Sequence, residues 1–162
     1  MTINIIVPAS KSELEDARRL GYEYVEAMGK NPILEPYFKD QNFLLEIDKM
    51  PKGYEPPDGI YLLAYVENEA AGTVALKRLD DEFCEMKRLF VSPKFQGIGL
   101  GKLLAERVMD EATKLGYAKM RLDNSRSVMA KAILLYKSLG FYEIEPYNQN
   151  FVPDALFMEK IL

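Results

Sequence analysis

Met86-Lys87-Arg88-Leu89-Phe90-Val91-Ser92-Pro93-Lys94-Phe95-Gln96-Gly97-Ile98-Gly99-Leu100-Gly101-Lys102 is the stretch on which the reading of this chain turns. It opens extended: Leu89, Phe90 and Val91 form an apolar run, and Pro93 pushes the residue before it out of the helical region. It closes as the first turn of a helix. Between the two, glycines occupy alternate positions 97, 99 and 101. Without a Cβ, backbone N–H groups there can turn toward one point. The helix start adds unsatisfied N–H donors and a partial positive charge. Together these suit a phosphate or a diphosphate.

Two phosphate loops fail on spacing. A Walker loop needs Ser or Thr after Gly-Lys, and Leu103 follows Gly101-Lys102, with Gln96 where the first glycine belongs. The dinucleotide fingerprint needs glycine at 102, which is Lys102. What fits is Gln-x-x-Gly-x-Gly from Gln96 to Gly101, directly after Leu-Phe-Val-x-Pro. This resembles the acetyl-CoA loop of the GNAT family of N-acetyltransferases. A later Ala-x-x-Leu-Tyr-x-x-x-Gly-Phe, at Ala132, Leu135, Tyr136, Gly140 and Phe141, has the family's order and separation, so the resemblance covers most of the second half.

Length and composition set the bounds. The 162 residues suit one domain, 1–162, with a sizeable core, and 48% hydrophobic with 28% charged residues is ordinary globular composition. No apolar run approaches a membrane span, and Met-Thr-Ile-Asn-Ile-Ile-Val-Pro does not read as a secretory leader. One cysteine, Cys84, excludes an internal disulfide and fits a reducing compartment, so the expectation is cytoplasmic. A net charge of −4 argues against nucleic acid as a partner and is compatible with a cationic amine. Histidine is missing, and no cluster of Cys and carboxylates suggests a metal.

Taken in order, Ile3–Val7 reads as a strand. Ser10 with Glu13, or Ser12 with Glu15, offers a capping box for an amphipathic helix that Gly29 stops. Residues 30–58 carry five prolines, so long elements are not expected, although Phe43, Leu44 and Ile47 suit a short helix. This region is either a loop over a small satellite core or a wall over a substrate site. Gly59–Glu67, Ala71–Leu79 and Phe83–Val91 read as an antiparallel meander, turning at Asn68-Glu69 and at Asp80-Asp81-Glu82. A helix runs from Gly99 to Gly116, and Lys119–Asp123 follows as a strand. Ser125 or Ser127 can cap a helix through Leu139, and two strands end the chain, Phe141–Ile144 and Ala155–Ile161. The expected fold class is α/β: a GNAT-like mixed, mostly antiparallel sheet with helices on both faces.

The resemblance implies roles. The strand before the loop would splay from its neighbour, with the backbone of Leu89, Phe90 and Val91 bonding the pantetheine arm of acetyl-CoA. Gln96, Gly97, Ile98, Gly99, Leu100, Gly101 and Lys102 would hold the diphosphate, Lys102 being otherwise a solvated helix residue. Tyr136 stands where the family has its general acid, close to the cofactor sulfur, and the other reading is a core tyrosine. Glu85 matches a family position for the base. By strand alternation it shares a face with Leu89, and the other reading is a salt-bridged glutamate beside Lys87 and Arg88. Glu67 and Asp123 are further candidates for the base, or a water relay serves. Cys84, on the opposite face from Glu85, reads as a small buried hydrophobe. Many relatives carry Asn where this chain has Met129, which removes one cofactor contact.

The resulting expectation is an acetyl-CoA-dependent N-acetyltransferase, needing no metal, that acts on a primary amine of a small molecule or amino-acid derivative, with homodimer formation open. The alternatives are a protein N-terminal or lysine acetyltransferase, a non-catalytic acyl-CoA-binding domain, or a nucleotide module.

Overall fold

The computed structural model describes residues 1–150 and 152–162. Seven strands among these residues make one sheet: β1 Ile3–Ile6, β2 Ile60–Val66, β3 Glu69–Arg78, β4 Phe83–Val91, β5 Lys119–Ser125, β6 Tyr142–Ile144 and β7 Ala155–Ile161. Their spatial order is β1-β2-β3-β4-β5-β7-β6. Neighbours are antiparallel except β4 and β5, which run parallel. The helices are α1 Lys11–Met28, α2 Glu35–Gln41, α3 Phe43–Lys49, α4 Leu100–Lys114 and α5 Ala130–Ser138.

Alternation along β2 explains the layering. Ile60, Leu62, Ala64 and Val66 join a core with Leu100, Leu104 and Val108 of α4 and Ile133 and Tyr136 of α5. Tyr61 and Leu63 point the other way, into a second core with Ala17 and Leu20 of α1 and Ile47 of α3. A strand covered on both faces carries apolar residues at every position. Each leucine so buried stabilises the fold by about 1.5–3 kcal/mol. Gly21 lets α3 close on α1, since a Cβ there would stand 2.9 Å from Ile47.

Local chemistry decides the element ends. Of the two candidate boxes Ser10–Glu13 forms: Ser10 Oγ accepts from the Glu13 N–H at 3.2 Å, and the Ser10 N–H donates back to Glu13 at 2.9 Å. The β2–β3 turn lies one residue earlier than expected. Val66 pairs with Glu69, leaving Glu67 (φ 48°) and Asn68 (φ 65°) at its centre. Both left-handed residues match the twist of a two-residue hairpin. Two hydrogen bonds to Thr2, just before β1, hold Glu67 in this conformation: its N–H donates to the Thr2 carbonyl, and its carboxylate accepts from the Thr2 N–H. In the sheet order β3 and β4 separate this β2–β3 turn, and with it Glu67, from β5. Neither serine caps α5, whose N-cap is Met129. Ser125 and Ser127 instead donate to Asp154, at 2.7 and 2.5 Å, tying the β5 end to the approach to β7.

Candidate active site

β4 and β5 pair only at Phe83–Lys119, Cys84–Met120 and Glu85–Arg121. Beyond that point β4 continues to Val91 and β5 to Ser125 without pairing, and a cleft opens between them. Met86 to Leu89 form one wall, Leu122 to Ser125 the other, with Tyr136 from the α5 side and Tyr24 and Tyr37 from the α1–α2 side. The cleft therefore passes through the sheet from one helical layer to the other.

A bulge in β4 builds this geometry. Thr73 pairs with Phe90 but Ala75 pairs with Lys87, so Arg88 and Leu89 oppose Val74 alone. Arg88 takes φ 61°, and Thr73 Oγ1 donates to its carbonyl at 3.0 Å. The extra residue resets the alternation. Lys87 and Arg88 both turn toward α2 and α3, while Leu89 packs on the α4–α5 core. The expectation that Glu85 and Leu89 share a face is thus corrected: even spacing fails across a bulge.

Arg88 is held from several sides. Its Nε and one terminal nitrogen donate to the two oxygens of Glu46, each at 2.7 Å, and the other terminal nitrogen donates to Tyr37 at 3.0 Å. The guanidinium lies 3.7 Å from the centre of the Phe43 ring. For Glu46, burial disfavours the charge, but the Arg88 hydrogen bonds and charge outweigh it and hold the carboxyl below its usual range. The 30–58 segment does two things: Ile47, Met50 and Tyr54 join the α1-side core, and α2 and α3 clamp the β4 bulge, with Tyr37 and Phe38 lining the cleft.

Glu85 is 3% exposed. Tyr147 Oη donates to it at 2.6 Å, and the ammonium groups of Lys87 and Lys77 stand at 3.5 and 3.9 Å. The salt-bridged reading of Glu85 therefore describes its surroundings, though the base reading stays compatible with a site lining a polar chamber shared with Lys87 and Asp123. Lys87 donates to Gln41 at 2.7 Å. Burial and the Arg88 charge push its ammonium down to about 8, against the opposing pull of Glu85. Asp123 lines both the cleft and the chamber and accepts from Asn148 at 3.0 Å.

Tyr136 is a core tyrosine that also borders the cleft. It is 5% exposed, with its ring 5.6 Å from that of Phe141, yet it lines the cleft. Burial raises its phenol above the usual tyrosine value, opposed by a hydrogen bond with Asn124, so it stays protonated and able to donate. Cys84 is wholly buried on the other face from Glu85, and burial pushes its thiol up to about 12. It is a packed hydrophobe, not a nucleophile.

At the far end, Gly97 (φ 83°) and Gly99 (φ 84°) are left-handed, and a Cβ on either would meet nothing within 4 Å. Gly99 is the N-cap of α4 and supplies no side-chain cap. The N–H groups of Leu100, Gly101 and Lys102 thus belong to the first turn, where intrahelical partners are lacking. Gly101 is helical, and a Cβ there would stand 3.8 Å from the Leu135 and Val91 side chains, an ordinary contact. Gln96 braces the loop, its side-chain amide donating to the Val91 carbonyl at 3.1 Å. Ile98 is 39% exposed, and Lys102 faces solvent with a loose 3.9 Å partner in Glu106.

The comparisons agree with this anatomy. The model of the acetyltransferase (GNAT) family matches residues 14–141. This chain belongs to the GNAT family. An uncharacterized N-acetyltransferase of Schizosaccharomyces pombe is 36% identical over 96% of this chain and 93% of its own. The IAA acetyltransferase of Azospirillum brasilense is 34% identical over 78% of this chain and 80% of its own. The PaiA N-acetyltransferase of Thermoplasma acidophilum, solved in complex with coenzyme A, superposes with a TM-score of 0.72 at 20% identity, covering 100% of both chains. This GNAT chain is accordingly an N-acetyltransferase that uses an acyl-CoA and an acceptor.

Two features of the GNAT site had no reader in the sequence. The Arg88–Glu46 clamp joins residues 42 positions apart, and one Lys-Arg pair reads as exposed charge. Tyr147 sits in a polar loop with no periodicity to mark it. Among the described residues, no group of three or more His, Cys, Asp or Glu could hold a metal ion.

Proposed function

We propose that this protein transfers an acetyl group from acetyl-CoA directly to the primary amine of a small molecule or amino-acid derivative. The observation that carries this is the cleft between β4 and β5, which adjoins an open polar chamber lined by Glu85, Lys87 and Asp123, with the glycine loop following the end of β4. The residues fit the donor. Gly97 and Gly99 leave an open cradle beside the uncapped α4 N-terminus, suited to the diphosphate. The part of β4 at Leu89, Phe90 and Val91, paired with β3 but unpaired on its β5 side, offers backbone groups to the extended arm. The GNAT relatives, and the coenzyme A bound by the Thermoplasma neighbour, support the same assignment.

When bound, acetyl-CoA supplies an acetyl thioester whose sulfur leaves as a thiolate. Tyr136, protonated by burial, donates to that leaving group. An aliphatic amine near pKa 10 is mostly protonated at neutral pH, so a base must take its proton first (roughly 10.4 for lysine-like amines). Glu85, directly or through a water, is the base at the chamber end. The single domain and the cytoplasmic setting are part of the same proposal.

The test is transfer of radiolabelled acetyl from acetyl-CoA to a panel of small amines, amino acids, peptide N-termini and lysine peptides. Label on small amines supports the reading, and label confined to peptides replaces it with protein acetylation. Tight coenzyme A binding without transfer to any acceptor would make the chain an acyl-CoA-binding domain.

A further inference from the structure

The bulge at Arg88 delivers two adjacent cations to the same face of the sheet, and only Arg88 meets a carboxylate at 2.7 Å, Lys87 standing 3.5 Å from Glu85. Arg88 faces both oxygens of Glu46 at 2.7 Å and has Tyr37 at 3.0 Å and Gln41 at 3.3 Å as well. Lys87 is equally buried, with 7% of its side chain exposed. Its closest partner, at 2.7 Å, is the neutral amide of Gln41. Its carboxylate neighbour is Glu85 at 3.5 Å, whose single charge is divided. Lys77 approaches the same Glu85 oxygen at 3.9 Å, and Tyr147 occupies the other at 2.6 Å. A buried ammonium so poorly matched is costly unless something anionic joins it.

Lys87 also stands at the junction of the two spaces. It lines both the cleft and the chamber on the α2 side, as do Tyr37, Asp123 and Asn150. Asp123 lies on β5, just past the last β4–β5 pair, and so faces Lys87 across the opening. Lys87 senses the Asp123 charge, which favours its ammonium form. A cation-bearing wall and an anion-bearing wall thus meet a molecule entering between β4 and β5. The amides of Gln41, Asn148 and Asn150 border the same space.

We propose that the acceptor is a zwitterionic amino acid, its carboxylate anchored by Lys87 and its ammonium drawn to Asp123 across the cleft. This rests on the acetyltransferase reading above and names its acceptor class. A polyamine would bring a second positive charge against Lys87 and Lys77. A neutral amine would leave Lys87 unanswered. The amino acid satisfies both walls and points its nitrogen toward the open cleft.

Protonation of Lys87 is then linked to acceptor binding. Its ammonium sits at about 8 before the acceptor binds, through burial and the Arg88 charge, and a carboxylate beside it raises that value. The other charged or titratable groups around it are Lys77 on β3, Glu85 and Arg88 on β4, Asp123 on β5, Asp40 and Tyr37 on α2, Glu46 on α3, and Tyr147 after β6. Carboxylate affinity should therefore weaken as pH rises through about 8, because the free protein loses the proton that the complex needs.

The experiment compares L-amino acids with their C-terminal amides and with spermidine, using labelled acetyl-CoA and the full chain. Amides have the more reactive amine, with an α-amino pKa of about 7.7–8.0, so intrinsic chemistry favours them. The expected result is a kcat/KM at least tenfold higher for one or more free acids, carried mainly by KM. Lys87→Met should erase that preference, and Lys87→Gln should do the same, while coenzyme A affinity is unchanged in both. Amides or spermidine preferred, or a preference intact in both variants, would overturn the proposal. Calorimetry on the coenzyme A-loaded protein separates the two readings. Coenzyme A bound but no amino acid binding sinks the acceptor assignment alone, and no coenzyme A binding sinks the acetyltransferase reading with it.

Discussion

Arg88 is 7% exposed, and its guanidinium meets both carboxylate oxygens of Glu46 at 2.7 Å. Removing one partner of a buried pair leaves an uncompensated charge, which costs about 3–5 kcal/mol. Glu46→Leu should lower unfolding stability in urea by about that amount, and adding Arg88→Leu should recover most of it. Failure of the double variant to recover would mean that Glu46 acts through something other than Arg88. The sign of the pH dependence follows from the depressed Glu46 carboxyl. Its contribution is complete above the unfolded value of about 4.3 and fades as pH falls through the lower folded value. Tyr136 allows a sharper chemical test. Tyr136→Phe loses one hydrogen bond, worth about 1 kcal/mol of stability, but it also removes the acid. The expected loss in kcat is about 100-fold with the KM for acetyl-CoA little changed. Unaltered kcat in steady-state assays would reduce Tyr136 to a core residue.

At the scale of elements, the glycine loop separates backbone conformation from mere space. Gly99 has φ 84° and open space where a Cβ would go, whereas Gly101 is helical. Gly99→Ala should therefore cost about 1–2 kcal/mol by conformation alone and weaken coenzyme A binding about tenfold by calorimetry, because the N–H groups turn away. Gly101→Ala should instead stabilise α4 by about 0.5–1 kcal/mol in urea unfolding, and a loss there would show that Gly101 is packed more tightly than it stands here. This loop was legible because its three glycines follow a strand and open a helix, a pattern with few alternatives. The β4 bulge was not. Period-two reasoning assumes one residue faces one partner, and nothing in Lys87-Arg88-Leu89 announces that two residues will oppose Val74. α2 escaped for a different reason. Pro36 reads as a breaker, but it lies in the first turn of α2, where its missing N–H would be unsatisfied anyway. Asn42, left-handed at φ 50°, then turns the chain from α2 into α3, so the stretch holds α2 in addition to the short helix expected at Phe43, Leu44 and Ile47.

For the whole molecule, the sheet is a partition. Its α4–α5 layer carries the glycine loop and Tyr136, and its α1–α3 layer carries the Arg88 clamp and the wall of the polar chamber. β4 and β5 connect the layers because they pair at one end and part at the other. The two substrates should then leave separate footprints in hydrogen exchange. Coenzyme A alone should protect the amides of residues 97–103 and of the unpaired ends of β4 and β5, while α2 and α3 exchange much as before. At a hundredfold excess over its Kd the cofactor adds about 2.7 kcal/mol of stability, enough to slow amides that open only by global unfolding across the whole sheet. The local footprint must therefore be read from amides that open without unfolding, which are concentrated at loops and element ends. Adding an acetylated amino acid to the coenzyme A complex should extend protection to α2 and to residues 147–150, on the opposite layer. If coenzyme A by itself protected α2 and α3 and left residues 97–103 exchanging freely, the donor would lie on the acceptor side, and the division of labour between the layers would have to be reversed.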